Sequence, residues 1–130
     1  MEKIFGAGCD PKQLSPLTLA FVGDAVFELL VRERLACMGS RPSSELHRLS
    51  VSQVCCQAQA SASGKLAPIL TEEEAEIFRR GKNAHPGHIP KNAKQEDYHL
   101  ATALEALFGY LYLSGRYDRV QEIFGVTCGR

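Results

Sequence analysis

The stretch LAFVGDAVFELLV, residues 19–31, decides the fold of this chain. Ten of its thirteen residues are apolar and they do not alternate as in a strand, so the stretch predicts a helix that is buried over most of its circumference. Asp24 places a carboxylate in these apolar surroundings, where it must be paired, protonated or bound to a metal. Gly23 destabilises a helix interior by about 1 kcal/mol relative to alanine, so it requires a packing or functional reason.

The other periodic segments of the sequence are helical as well. Thr71 followed by Glu74 predicts a capping box, and residues 82–95, with two prolines and a glycine, predict a loop. The predicted helices run from Ser15 and Pro16 to about Ala36, from Ser43 or Ser44 to near Gly64, from Thr71 to Arg80 before Gly81, from about Glu96 to Ser114, and through DRVQEIF at residues 118–124. Because no segment alternates as a strand does, we predict an all-α bundle forming a single domain over residues 1–130.

Composition excludes few functions. The chain has 130 residues, of which 45% are hydrophobic and 23% charged, as in ordinary globular proteins. Fifteen basic residues balance fifteen acidic ones, so a nucleic-acid partner would need a local basic patch. The five cysteines lack metal-binding spacing, and there is neither a leader pattern nor a long apolar run. These features predict a cytoplasmic protein with reduced thiols and no membrane span.

A second helix repeats the anomaly of the first. In LATALEALFGYLYL, residues 100–113, Glu105 is the only charged residue and Gly109 lies one helical turn further on. Two helices that each carry a lone acid and a glycine can pack closely and bring Asp24 and Glu105 together. Two such carboxylates repel each other unless they share a proton or bind a divalent cation. Alternatively, each acid is half-exposed at the edge of a groove or pairs with a basic side chain from the loop.

Residues 79–94, RRGKNAHPGHIPKNAK, form a basic segment without any acid. Its lysines and arginines, interleaved with asparagines, suit a phosphate backbone. The alternative is a solvated loop whose charges offset the acidic EEEAE at residues 72–76. His85 and His88 lack a third ligand that would indicate a metal site. The acid pair and the basic segment together suggest a metal-dependent enzyme acting on phosphodiesters.

Three segments of the sequence resemble motifs of one protein family. FVGDAVFE, residues 21–28, resembles the signature motif of the ribonuclease III family, and TALEALFGYLYL, residues 102–113, resembles its second motif. The basic segment is similar to the corresponding segment in the short bacterial branch of that family. Members of this branch consist of the catalytic domain alone. The resemblance spans about residues 14–115 and implies no double-stranded RNA-binding domain.

The resemblance implies an all-helical ribonuclease III-like homodimer that cuts double-stranded RNA, usually precursor 23S ribosomal RNA, with Mg²⁺ and with Mn²⁺ able to substitute. By motif, Asp24 and Glu105 are the catalytic, metal-binding acids. Two further acids of longer relatives are replaced here by Ala20 and Thr102, which leaves fewer carboxylates around the metal. The alternative is therefore a catalytically inactive RNA-binding module of the same fold. The expected RNA-binding residues are Arg79, Arg80, Lys82, Asn83, Lys91 and Asn92.

Overall fold

The computed structural model describes residues 8–84 and 94–128 of the chain. All regular secondary structure in these ranges is helical, so the all-α prediction is confirmed. After a short 3₁₀ helix, Pro11–Gln13, come α1 Pro16–Cys37, α2 Ser43–Val54, α3 Cys56–Ser63, α4 Glu72–Lys82, α5 Gln95–Leu113 and α6 Tyr117–Cys128.

Helix α5 is the centre of the bundle. Every residue from position 101 to position 111 is buried except Glu105, and α1, α3 and α4 pack around this helix. On one side the ring of Phe27 from α1 meets Phe108 edge-on, with 5.4 Å between ring centroids, and it meets Phe124 of α6 at 5.7 Å. A helix that is apolar all round must be surrounded by other elements, so α5 provides a rigid scaffold for its one charged residue in this buried stretch.

Glycines allow the backbones of α1 and α5 to touch. A Cβ atom built on Gly23 would lie 1.6 Å from the carbonyl oxygen of Glu105, and one on Gly109 would lie 1.9 Å from that of Leu19. Any side chain at either position would push the two helices apart. The packing reason expected for Gly23 is therefore confirmed.

Local capping chemistry sets the helix starts as the sequence predicts. The Ser15 hydroxyl accepts a hydrogen bond from the backbone N–H of Thr18 at 3.2 Å, with Pro16 in the first turn. The predicted capping box at the start of α4 is present, since Thr71 and Glu74 exchange hydrogen bonds of 3.1 and 3.0 Å. In contrast, α4 does not end before Gly81: it continues to Lys82, and Gly81 is buried against Ala103 of α5.

Two other predictions about helices were wrong. The single helix expected from Ser43 to Gly64 is two helices, because Cys55 has an extended backbone that separates α2 from α3. The final helix is longer than DRVQEIF and runs to Cys128.

Helix α1 is also less buried than its composition predicts. Its inner side packs against α5, but Phe21 on its outer side is 80% exposed, Leu29 is 59% exposed, and Asp24 is exposed as well. The prediction of burial over most of the circumference was therefore wrong, because α1 lies at the surface of the bundle. An apolar sequence alone does not say which apolar residues the chain itself covers.

Candidate active site

Asp24 and Glu105 meet where α1 crosses α5. Gly23 brings the two backbones into contact, and this contact places the carboxylates of Asp24 and Glu105 side by side. Burial raises the pKa of Glu105 to about 8, and the adjacent Asp24 contributes to this rise through a hydrogen bond and its negative charge. The structure thus brings together the two acids that the sequence pairs. Glu105 is half-buried and Asp24 is exposed, so the pair is open to solvent on the α1 side.

A third polar side chain reaches the acid pair from α3. The Nε2 atom of Gln59 donates a hydrogen bond to Oε2 of Glu105 at 3.3 Å, and Gln59 is only 2% exposed. This hydrogen bond opposes the effect of Asp24, because it lowers the pKa of Glu105. Sequence reasoning missed Gln59, since it lies in the stretch AQASASG, whose small residues show no motif.

The two positions at which longer relatives carry further acids provide no additional metal ligand here. Ala20 and Thr102 are both buried, and the Thr102 hydroxyl donates to the carbonyl oxygen of Tyr98 at 2.9 Å. In the ranges that the structure describes, no cluster of three or more His, Cys, Asp or Glu side chains could hold a metal ion. Two adjacent carboxylates nevertheless fit Mg²⁺, which prefers oxygen ligands and usually keeps several waters.

Part of the predicted RNA-binding segment lies at the end of α4. Lys82 and Asn83 are exposed there and line a shallow depression with Gln95, Glu96 and His99 from the start of α5. Arg80 is half-buried, whereas Arg79 is exposed and donates to Glu76 in its own helix at 3.0 Å. Lys91 and Asn92, like His85 and His88, lie outside the described residues. The structure therefore places one cationic end of the segment at the surface.

A second buried carboxylate, Glu74, lies in different surroundings. Arg119 of α6 donates two hydrogen bonds to it, at 2.7 and 2.8 Å, and a third to the carbonyl oxygen of Ile69 at 2.7 Å. Burial acts to raise the pKa of Glu74, but the hydrogen bonds from Arg119 and Thr71 outweigh it and hold that pKa below its usual value. Glu74 therefore joins α4 to α6 as one half of an ion pair. The sequence assigned Glu74 to the capping box alone and gave no sign of the arginine.

None of the helices in the described part of the chain combines the length and apolar character required to cross a membrane.

The helical fold and the acid pair define an all-helical nuclease domain, and comparison with known families agrees. The family model described as "Ribonuclease III domain" matches residues 17–116, a range that contains both acids. The chain therefore belongs to the ribonuclease III family, and it is an endoribonuclease. This family acts on double-stranded RNA and is generally dependent on divalent metal.

Within the family, the chain is similar to several relatives that are named mini-ribonuclease 3. The protein from Symbiobacterium thermophilum is 45% identical over 88% of this chain and 88% of its own length. The one from Brevibacillus brevis is 46% identical over 88% of this chain and 85% of its own length. A crystal structure of a Fusobacterium nucleatum protein has 30% identity and a TM-score of 0.82, covering 93% of this chain and 97% of that one. The predicted resemblance to the short branch is confirmed.

Proposed function

We propose that the chain is a cytoplasmic, magnesium-dependent endoribonuclease that cleaves double-stranded regions of precursor 23S ribosomal RNA at the Asp24–Glu105 pair. The observation that carries this proposal is the close crossing of α1 and α5 at Gly23, which brings the carboxylates of Asp24 and half-buried Glu105 together. Membership of the ribonuclease III family supplies the type of reaction, and the names of the relatives point to the short branch.

In this proposal Asp24 and Glu105 hold the metal, which is Mg²⁺ or, as a substitute, Mn²⁺. When bound, such a metal lowers the pKa of a coordinated water and stabilises negative charge on the leaving 3′ oxygen. Glu105 supplies a carboxylate fixed on the buried helix α5, whereas Asp24 supplies one on the solvent side, where the RNA approaches. Hydrolysis then leaves a 5′-phosphate and a 3′-hydroxyl.

Basic side chains at the end of α4 are proposed to contact the RNA backbone. Lys82 and Asn83 are exposed there, with Arg79 and Arg80 on the preceding turn. Lys91 and Asn92 complete the proposed set. Because A-form RNA exposes phosphates and 2′-hydroxyls across a shallow minor groove, these contacts read shape more than base sequence.

A second copy of the chain is proposed to cover the outer face of α1. Leu17 and Phe21 lie one helical turn apart on this face, and a phenylalanine that is 80% exposed is unusual in a stable monomer. Two copies related by a two-fold axis would hide these apolar side chains and bring two acid pairs to one duplex. Each subunit would then cut one strand and leave a staggered end.

The test of this proposal is cleavage of a perfect RNA duplex and of a 23S precursor fragment, with Mg²⁺ and with a chelator. We expect cleavage with Mg²⁺ alone, with 5′-phosphate ends and faster turnover of the precursor. Duplex binding without cleavage in either condition would support the inactive RNA-binding module. Equal rates on both RNAs would contradict only the ribosomal substrate.

The dimer is tested by sedimentation of the parent and of Phe21→Glu. We expect the parent to sediment at twice the 14.3 kDa of one chain and the variant to shift towards one chain. Val51→Glu is the matched control, because Val51 is an exposed apolar residue on a different helix, α2. A parent that sediments as a single chain at micromolar concentration would refute the dimer.

A further inference from the structure

Gln59 is a buried amide at the edge of the acid pair. Glutamine is mostly an exposed residue, yet Gln59 is 2% exposed on α3, a helix of small residues that packs against α5. Removing an amide from water is unfavourable unless hydrogen bonds within the protein replace those made to water. The partner that Gln59 finds is Oε2 of Glu105, at 3.3 Å.

Another buried polar side chain on α3 shows that this contact is not a general property of the helix. Ser63 is 5% exposed, and its hydroxyl donates to the carbonyl oxygen of Ala60 within α3 at 2.7 Å. Ser63 is thus satisfied locally, whereas Gln59 donates across the interface to a side chain on α5. The longer glutamine side chain spans the gap between the two helices.

In this hydrogen bond the amide of Gln59 is the donor and the carboxylate of Glu105 is the acceptor. An ionised carboxylate only accepts hydrogen bonds, and its two oxygens have about four lone-pair sites. One N–H from Gln59 therefore restrains the position of Oε2 of Glu105 and leaves the other sites for a cation. Because an amide is neutral, Gln59 achieves this without adding charge to the pair or neutralising it.

We propose that Gln59 is a positioning residue that orients the carboxylate of Glu105 for metal binding through the hydrogen bond to Oε2. The inference rests on the proposed metal-dependent function of the acid pair. Partners that hydrogen-bond to metal ligands typically change metal affinity or activity by about 10- to 100-fold when they are replaced.

The test is Gln59→Met, which keeps the length of the side chain and removes the donor. Calorimetric titration of the full chain with Mn²⁺ alone, without RNA, should show roughly tenfold weaker binding. In cleavage assays the Mg²⁺ concentration for half-maximal rate should rise by a similar factor, while KM for duplex RNA at saturating Mg²⁺ stays unchanged. A purely structural role would alter neither metal titration.

Gln121→Met is the matched control, because Gln121 is exposed on α6, and it should behave as the parent. Thermal melting shows whether Gln59→Met is folded; if it is not, Gln59→Asn keeps an amide on a shorter side chain and should weaken Mn²⁺ binding in the same direction. A folded variant of either kind that binds Mn²⁺ as tightly as the parent overturns the positioning role. A parent that binds no metal and cuts no duplex refutes the proposed function instead.

Discussion

Glu74 and Glu105 are two glutamates on neighbouring helices, the first buried and the second half-buried, and their surroundings are opposite. Glu74 is 2% exposed and faces the guanidinium of Arg119, which joins α4 to α6. Glu105 is half-buried and faces Asp24 and the amide of Gln59. The pKa of Glu74 is lowered because hydrogen bonds from Arg119 outweigh its burial, whereas burial and the neighbouring acid raise the pKa of Glu105 to about 8.

We interpret Glu74 as a structural carboxylate and propose a functional role for Glu105. A buried acid with a cation and good hydrogen bonds holds two elements together, and removing one partner leaves an uncompensated charge. Two acids that lie side by side and shielded from water destabilise the protein unless a proton or a ligand neutralises the pair, so such sites are candidates for function. Substitutions at the acid pair should therefore change activity, and substitutions at Glu74 should change stability.

The largest effect should come from Asp24→Asn. This change removes one negative charge from the acid pair with little change in shape, so a bound cation loses a ligand. We expect cleavage of duplex RNA to fall by about 10²- to 10⁴-fold, equivalent to several kcal/mol of transition-state stabilisation. Thermal melting should stay close to that of the parent, because Asp24 is exposed. Glu33→Gln, an exposed acid on the same helix, is the control and should leave cleavage unchanged.

The next effect is on stability alone. Glu74→Gln leaves the Arg119 guanidinium without its buried anionic partner, and we expect the free energy of unfolding to fall by about 3 kcal/mol. Cleavage per folded molecule should not change. Glu76→Gln removes the partner of Arg79 from an exposed pair and should lower stability by much less than Glu74→Gln does. Equal destabilisation in the two variants, measured by urea unfolding, would show that the Glu74 pair is not special.

Local signals explain what the sequence could predict. Ser15 with Pro16 and Thr71 with Glu74 fixed helix starts, because caps depend on residues within one turn. Gly23 and Gly109 predicted the close crossing, because glycine is unfavourable inside an apolar helix unless another backbone packs against it. These two signals were enough to pair Asp24 with Glu105.

Long-range partners explain what the sequence could not predict. The hydrogen bond from Gln59 to Glu105 spans 46 positions and the ion pair of Arg119 with Glu74 spans 45, and neither leaves a periodic trace. The exposed outer face of α1 was misread for a related reason. Periodicity assigns Phe21 to an apolar face of the helix, but it does not show whether this chain or another molecule covers that face.

The third prediction uses pH to distinguish the two glutamates in metal-free protein. The pKa of Glu105 is raised on folding, so its contribution to stability is full below about pH 4.5 and is lost as pH rises through about 8. The pKa of Glu74 is lowered, so its contribution is present at neutral pH and is lost as the solution becomes acidic.

Glu105→Gln should therefore raise the melting temperature at pH 8 by several degrees, as expected for about 1 kcal/mol, and have little effect at about pH 4.5. Glu74→Gln should lower it most at neutral pH and less in acid. Melting curves in a chelator between about pH 4 and pH 8 measure both trends. A Glu105→Gln variant that melts below the parent at pH 8 would mean that the acid pair is not under repulsion.

The smallest effect should come from replacing a basic side chain that lies away from the acid pair. Lys82 is exposed at the end of α4, near the start of α5. If its ammonium contacts an RNA phosphate, Lys82→Ala removes one counterion-releasing interaction per subunit. The slope of log affinity against log salt should then fall by about one for each phosphate that the protein no longer neutralises, with affinity reduced evenly across sequences.

Lys12→Ala is the matched control for this change. Lys12 is also exposed, but it lies far from Lys82. It is near Glu73, which contacts Tyr110 towards the end of α5, whereas Lys82 lies near the start of that helix. Its removal should leave the salt slope unchanged. The cleavage rate at saturating RNA should be the same in the parent and in both lysine variants, because neither residue belongs to the acid pair. If Lys82→Ala keeps the parent slope and affinity, the end of α4 is a solvated surface, and the RNA backbone must contact another face of the protein.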